Sequence, residues 1–268
     1  MAFETILYDL ADGVATVTLN RPERLNACSL EMGAELREAV LQAGNEARCL
    51  LITGAGKGFC SGADLASRGD RIDGSAASAG GRGDASYRAL TGTYNPLIEA
   101  LVDAPIPVVS AVNGPAAGVG CSIALSADFV VAGASAYFLQ AFVNIGLVPD
   151  GGASWMLPRL VGKARATEMM MLGEKIDAAK AMQWGLIYKS VADGALMDEA
   201  GALAQRLANG PTVALGQMKS NIASALNTTL TQALHGEAIG QRRAGSSHDA
   251  AEGGMAFLQK RKPAFKGE

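Results

Sequence analysis

The chain is short of the groups that enzymes most often use. Among 268 residues there are 2 histidines, His235 and His248, both late in the chain. Neither has a carboxylate or cysteine partner at metal-ligand spacing, so histidine catalysis and histidine-bound zinc are set aside. The 4 cysteines, Cys28, Cys49, Cys60 and Cys121, show neither zinc nor redox spacing. A chain of this size needs no disulfide staples, so they read as free thiols in a reducing, cytoplasmic compartment. Aromatic residues make up 5%, too few for a stacking platform. Basic residues do not dominate, with 23 Lys and Arg against 26 Asp and Glu. That balance argues against a nucleic-acid or anionic-membrane surface. No basic residue precedes Arg21, while Glu4, Asp9 and Asp12 do, so no signal or transit peptide is expected.

What is abundant is apolar and small. Hydrophobic residues are 49% and glycines number 33, enough for a large core with many tight turns. Between Ala104 and Pro149 the sole charge is Asp128. Length alone would allow membrane spans there. Pro105, Pro107, Asn113, Gly114, Pro115, Gly118 and Gly120 interrupt the stretch, so interior strands and a helix fit better.

Local signals give an order of elements. Ile6–Leu10 and Val14–Leu19 flank an Asp12-Gly13 turn and predict a hairpin. Ser29 predicts an N-cap for a helix to about Glu46. Leu50–Thr53, Pro107–Val112, Phe129–Ala132 and Ala136–Gln140 read as strands. Helices are expected from about Ser86 to Val102 and Ala117 to Ala127, then over Trp155–Leu160, Ala164–Leu172, Ala178–Trp184, Met197–Ala208 and Pro211–Leu226. The tail from Ala233 reads as helical, broken near Gly253-Gly254 and at Pro263. Ser67 to Gly83 is poor in apolar residues and reads as a mobile surface loop. The class is α/β, with strands early and helices late.

Several motifs fail. Gly118-Val119-Gly120 is followed by Ile123 where a dinucleotide fingerprint needs glycine, and Gly54-Ala55-Gly56-Lys57 lacks phosphate-loop spacing. There is no nucleophile elbow. Three segments hold: Gly58 to Leu65 after a strand, Val112 to Gly120 between strand and helix, and Ile145 to Gly152. Small residues in the first two let a ligand press against bare backbone. Paired backbone N–H groups there would make an oxyanion hole.

These segments resemble the crotonase, or enoyl-CoA hydratase/isomerase, family. The resemblance rests on Leu19-Asn20-Arg21-Pro22 with Leu25-Asn26-Ala27, and on Leu51-Ile52-Thr53-Gly54 with Phe59 to Leu65. Val112-Asn113-Gly114 with Ala117 to Gly120, Asp128, Gly146-Leu147-Val148-Pro149 and Leu157-Pro158-Arg159 extend it. So do Ala181, Trp184-Gly185-Leu186, and Phe257 to Arg261 with Pro263 and Phe265. It runs from about residue 5 to 267. It implies a ββα superhelix over residues 1–200, holding the acyl-CoA site. Residues 201–268 would form a C-terminal helical region for trimers or hexamers.

The resemblance also implies site roles. The thioester oxygen would sit between the N–H groups of Ala63 and Val119, where members usually carry Gly in place of Val119. Arg24, Leu25, Ala27, Ser61, Asp64 and Leu65, with Gly118, would line the CoA site. Lys260, on the late helix, would reach a neighbour's CoA phosphates. No metal is expected, and no cofactor beyond the CoA of the substrate.

The reaction turns on acids. Hydratase members place two Glu where this chain has Ser122 and Phe142. Hydration needs water activated and carbon protonated, so a hydratase is disfavoured. Asp150 follows Gly-Leu-Val-Pro, as in members similar to epoxyphenylacetyl-CoA isomerase and some enoyl-CoA isomerases. One carboxylate suffices to move a proton between carbons. Phe142, Ile145, Leu147 and Val148 are expected to bury it and raise its pKa. Asp150 also fits a helix N-cap. Ser122 reads as an ordinary helix residue, and Tyr94 as core with acyl-pocket lining as the alternative. An aryl-CoA dehalogenase would use the same Asp, but no histidine precedes His235. A silent acyl-CoA-binding protein is the remaining alternative.

Overall fold

The computed structural model describes residues 3–64 and 81–268. The chain opens with β1 (Ile6–Ala11), β2 (Val14–Leu19), α1 (Leu30–Glu46) and β3 (Cys49–Gly54). The expected hairpin forms, antiparallel and in register from Ile6–Leu19 to Ala11–Val14. Ser29 caps α1, its hydroxyl accepting from the Met32 N–H, which satisfies one of the helix's orphan donors.

Next come α2 (Gly81–Ala89), a π turn (Leu90–Tyr94), α3 (Asn95–Asp103), β4 (Val108–Val112), β5 (Pro115–Ala117) and α4 (Val119–Leu125). The expected loop at Ser67–Gly83 lies outside the described residues up to residue 80, and Gly81 already opens α2. Then follow β6 (Phe129–Gly133), β7 (Tyr137–Leu139), α5 (Ala153–Leu172), β8 (Ile176–Asp177), α6 (Ala178–Gln183) and β9 (Lys189–Val191). α5 is two helices joined at Gly162, whose φ of 75° and ψ of 165° are not helical. The two expected segments are therefore present, meeting at that glycine.

Among the described residues, one sheet runs β1-β2-β3-β4-β6-β9 and a smaller one β5-β7-β8. In the large sheet the strands after β1 are parallel. Side chains alternate across β3. Leu50 and Ile52 join the core shared with α1 and α3. Cys49 and Leu51 face the opposite way, onto α7 (Leu196–Ala208), through Leu196, Ala200, Ala204 and Ala208. Because α7 belongs to the sheet, the expected boundary at residue 200 falls inside a core helix.

The chain ends with α8 (Thr212–Ala225), α9 (Leu230–Gly245) and α10 (His248–Leu258). The expected break at Gly253-Gly254 is corrected: those glycines lie within α10, and the break falls at Ser246–Ser247. Ser247 supplies the reason, since its hydroxyl caps the Ala250 N–H. α8 is tied to the core by Lys219, whose Nζ lies 3.0 Å from Asp128 Oδ2 and donates to the Leu101 carbonyl at 2.9 Å. Burial pushes this ammonium below its usual pKa, against the pull of Asp128. Among the described residues no helix is long and apolar enough to cross a membrane.

Candidate acyl-thioester site

Two chain segments meet backbone to backbone at the C-terminal ends of β3 and β4. Residues 60–64 are held on one side by residues 25–28: the Ser61 N–H donates to the Leu25 carbonyl, Cys28 to Gly62, and Asp64 to Cys28. On the other side Cys60 pairs with Pro115 and Ala117 through its N–H and carbonyl. In the parallel bridge between Cys28 and Ala63, the Ala63 N–H points away from residues 25–28. Val119 opens α4, so its N–H has no acceptor within the helix.

Two glycines allow this approach. Gly62 has φ of 109° and Gly118 has φ of 52°, a region that L side chains resist. A Cβ on Gly118 would lie 3.8 Å from the Gly62 Cα, and one on Gly62 would lie 3.1 Å from the Ala117 carbonyl oxygen. Ala63 and Val119 are thus carried on two strands of bare backbone in contact. The ring of Phe142 closes one side, 3.6 Å from where a Gly118 Cβ would stand.

Asp150 approaches from a third segment. The residue after it, Gly151, packs on α4: a Cβ there would lie 3.4 Å from Val119 Cγ2 and 2.7 Å from Ser122 Cβ. Ser122 Oγ donates to the Asp150 carbonyl oxygen at 3.1 Å. Asp150 is half-buried and its Oδ1 is screened from solvent. The N-cap position of α5 is Gly152, not Asp150.

One expectation about Asp150 needs correction. Phe142 is buried, but Ile145, Leu147 and Val148 are exposed, Val148 by 81%. The short 3-10 turn over Ala141–Ile145 ends at Gly146 in a left-handed conformation. The apolar side chains on either side of that glycine, Ile145, Leu147 and Val148, lie on the outside.

The expected CoA-lining residues divide into groups. Arg24, Leu25 and Ser61 come together: Ser61 Oγ donates to the Arg24 carbonyl at 3.2 Å. Leu25 is exposed and Ala27 half-buried. Arg21 clamps Ala27 and Asp64, donating to the Ala27 carbonyl at 2.6 Å and to Asp64 Oδ2 at 2.8 Å. Asp64 is buried, so this face of its carboxylate serves the loop. Leu65 lies outside the described residues. Tyr94 is fully buried and its hydroxyl donates to the Cys28 carbonyl at 2.7 Å. The placement of Lys260 on the late helix is corrected: it stands exposed, in a left-handed conformation, beyond the end of α10. The tail there folds back toward Asp249 and Arg48.

Asn26 belongs to the same Arg24 to Ala27 segment that is expected to line the CoA arm. It is fully buried; its Oδ1 accepts the Arg21 N–H at 2.9 Å, and its Nδ2 donates to the Ala55 and Gly58 carbonyls. Leu25 and Asn26 both have φ near 50°, at 48° and 55°. Asn tolerates such left-handed backbone better than most residues. Arg21 lies in the Leu19-Asn20-Arg21-Pro22 motif and outside the expected set of CoA-lining residues.

Comparison with known proteins settles the family. A family model described as enoyl-CoA hydratase/isomerase matches residues 9–268. The chain belongs to the enoyl-CoA hydratase/isomerase family. It is 46% identical, over 99% of both chains, to the 1,2-epoxyphenylacetyl-CoA isomerase of Escherichia coli strain K12. It is 43% identical, over 100% of both, to a protein of Rhodobacter capsulatus named "Probable enoyl-CoA hydratase". Its fold superposes on the crystal structure of an enoyl-CoA hydratase from Bacillus anthracis with a TM-score of 0.90, at 30% identity, covering 99% of this chain and 100% of that one. The fold is therefore the crotonase fold, and the chain is a hydratase/isomerase-family enzyme. Within that family frame the paired backbone segments and Asp150 lie in one cluster, while Ser122 and Phe142 border it without adding a second carboxylate.

Proposed function

We propose that this enzyme isomerises an acyl-CoA thioester, with Asp150 as its single acid/base and the N–H groups of Ala63 and Val119 as its oxyanion hole. The observation that carries the reading is the contact of the Asp150–Gly151 turn with Val119. It brings one carboxylate-bearing residue beside the backbone donors, with Ser122 and Phe142 at the positions expected for hydratase acids.

The chemistry needs little else. The Asp150 carboxylate takes a proton from acyl C2, and the electron pair moves into a dienolate. The N–H groups of Ala63 and Val119 hold the oxygen that gains charge, each worth about 3–4 kcal/mol at the transition state. Asp150 then returns the proton at C4, giving the conjugated 2-enoyl thioester. Positioned proton transfer of this kind contributes roughly 10²–10⁴ in rate. The substrate class is an acyl-CoA whose acyl group carries a double bond, or an epoxide as in the named E. coli relative. Arg24, Leu25, Ala27 and Ser61, with Leu65, would hold the CoA arm. No cofactor beyond that CoA is required.

Self-association as a trimer or hexamer is part of the proposal. Ile222, Leu230, Phe257 and Leu258 are apolar and exposed on the C-terminal helices, and an apolar cavity of about 380 Å³ lies between α5 and α8. Lys260 would then serve the CoA phosphates of a neighbouring copy. Four buried cysteines, none in a disulfide, fit a reducing, cytoplasmic setting.

A hydratase reading draws support from the Rhodobacter relative. It requires a second group to activate water. The test is to mix the protein with a 3-enoyl-CoA and, separately, a 2-enoyl-CoA, and follow the conjugated enoyl-thioester absorbance. A rise with the 3-enoyl substrate, abolished in Asp150→Ala, supports the isomerase. A fall with the 2-enoyl substrate, as water adds, supports the hydratase instead.

A further inference from the structure

Ser122 occupies the first turns of α4, one helical turn from Val119, so both lie on the same face of the helix. Its side chain is fully buried. Its hydroxyl donates to the Asp150 carbonyl oxygen at 3.1 Å, and its own carbonyl accepts the Ser126 hydroxyl at 2.8 Å. The Asp150–Gly151–Gly152 turn is laid directly on it, since Gly151 and Gly152 have φ of 58° and 78°. A Cβ on Gly151 would already lie 2.9 Å from Ser122 Oγ. There is no room at residue 122 for a longer side chain without moving that turn.

From this we infer that Ser122 is the positioning residue for Asp150. The inference rests on the proposed acid/base role of Asp150 and deepens it. One short helix carries both an oxyanion donor, the Val119 N–H, and the anchor of the base, the Ser122 hydroxyl. The anchor fixes the Asp150 main chain relative to the thioester oxygen. Proton transfer requires donor and acceptor within about 2.6–3.2 Å, and a misplacement of about 1 Å can cost on the order of 10²-fold. A second consequence is specificity. The residue that seats the one carboxylate also excludes a second from the same wall, favouring proton shuttling over hydration.

The test is a double-mutant cycle of Ser122→Ala with Asp150→Asn, read by deuterium exchange at the acyl C2 and C4 of a 3-enoyl-CoA. Ser122→Ala should lower kcat by about 10–100-fold while KM stays within about twofold. Ser122→Cys keeps the shape with a weaker donor and should fall between. In the Asp150→Asn background Ser122→Ala should change the residual rate no further, because its effect passes through Asp150. Wild-type kcat in Ser122→Ala, or the same fold loss in both backgrounds, overturns the inference. If Ser122→Ala does not fold, Ser122→Cys carries the same comparison. Wild-type turnover in Asp150→Asn alone would instead sink the acid/base reading, whatever Ser122 does.

Discussion

Tyr94 donates its phenolic hydrogen to the carbonyl oxygen of Cys28 across 2.7 Å, and that same carbonyl accepts the Asp64 N–H at 3.0 Å. One backbone oxygen thus joins the π turn before α3 to the segment that presents Ala63. A π turn offsets the register of a helix and is found often at functional sites. Here it aims a buried tyrosine at the loop. Tyr94 is fully buried, with a hydrogen bond that steadies a proposed catalytic N–H.

Asn26→Ala should destabilise the protein and weaken CoA binding together. The change deletes three hydrogen bonds, two part-buried and one buried, and puts alanine at φ of 55°. Unsatisfied buried partners cost about 1–3 kcal/mol each, partly relieved by relaxation. A loss of about 3 kcal/mol in urea denaturation, with a raised KM for acyl-CoA, is the expected result.

Gly62→Ala should separate the two backbone segments. Its φ of 109° resists a side chain, and the new methyl would press at 3.1 Å on the Ala117 carbonyl. Strain of about 1–3 kcal/mol is expected, measurable as a lower thermal midpoint. Turnover should fall more than substrate affinity if the Ala63 and Val119 N–H groups form the proposed oxyanion hole.

Glu252 makes the tail acid-sensitive. Arg261 and the Ala264 N–H hold its carboxyl down, from the ordinary 4.5 to about 2. A depressed carboxyl stabilises the fold fully above its unfolded pKa and ceases to do so as pH falls through the folded one. The C-terminal tail should therefore loosen between about pH 4.5 and 2, read by proteolysis after residue 258. Glu252→Gln should loosen it at neutral pH.

The thiols should be inert in the native state. Burial pushes Cys60 up to about 11, and Cys49 and Cys121 up to about 12, so little thiolate forms near neutrality. A thiol reagent at pH 8 should modify none of the 4 cysteines until denaturant is added. Rapid native labelling of Cys60 would show that the Gly58–Asp64 segment opens.

Legibility in the sequence followed distance along the chain. The Asp12-Gly13 turn and the Ser29 cap were readable because each is settled by neighbours within a few residues. The short strands β8 and β9 were not expected, since two or three residues make a strand only when a distant partner is already there. The break before α10 was placed at glycines, but Ser247 decides it by capping. The site shows the same divide. The Ala63 and Val119 segments were legible as small-residue turns. The Arg21–Asp64 and Ser122–Asp150 contacts, separated by 43 and 28 residues, exist only in the folded chain.

The central claim is that one carboxylate moves the proton. The most direct measurement is NMR of a 3-enoyl-CoA in D₂O with wild type and with Asp150→Asn, alongside calorimetric binding. The account predicts that wild type forms the 2-enoyl thioester and exchanges deuterium into the acyl chain. It predicts that Asp150→Asn binds comparably but loses about 10²–10⁴ of that rate. Undiminished exchange in Asp150→Asn would contradict it.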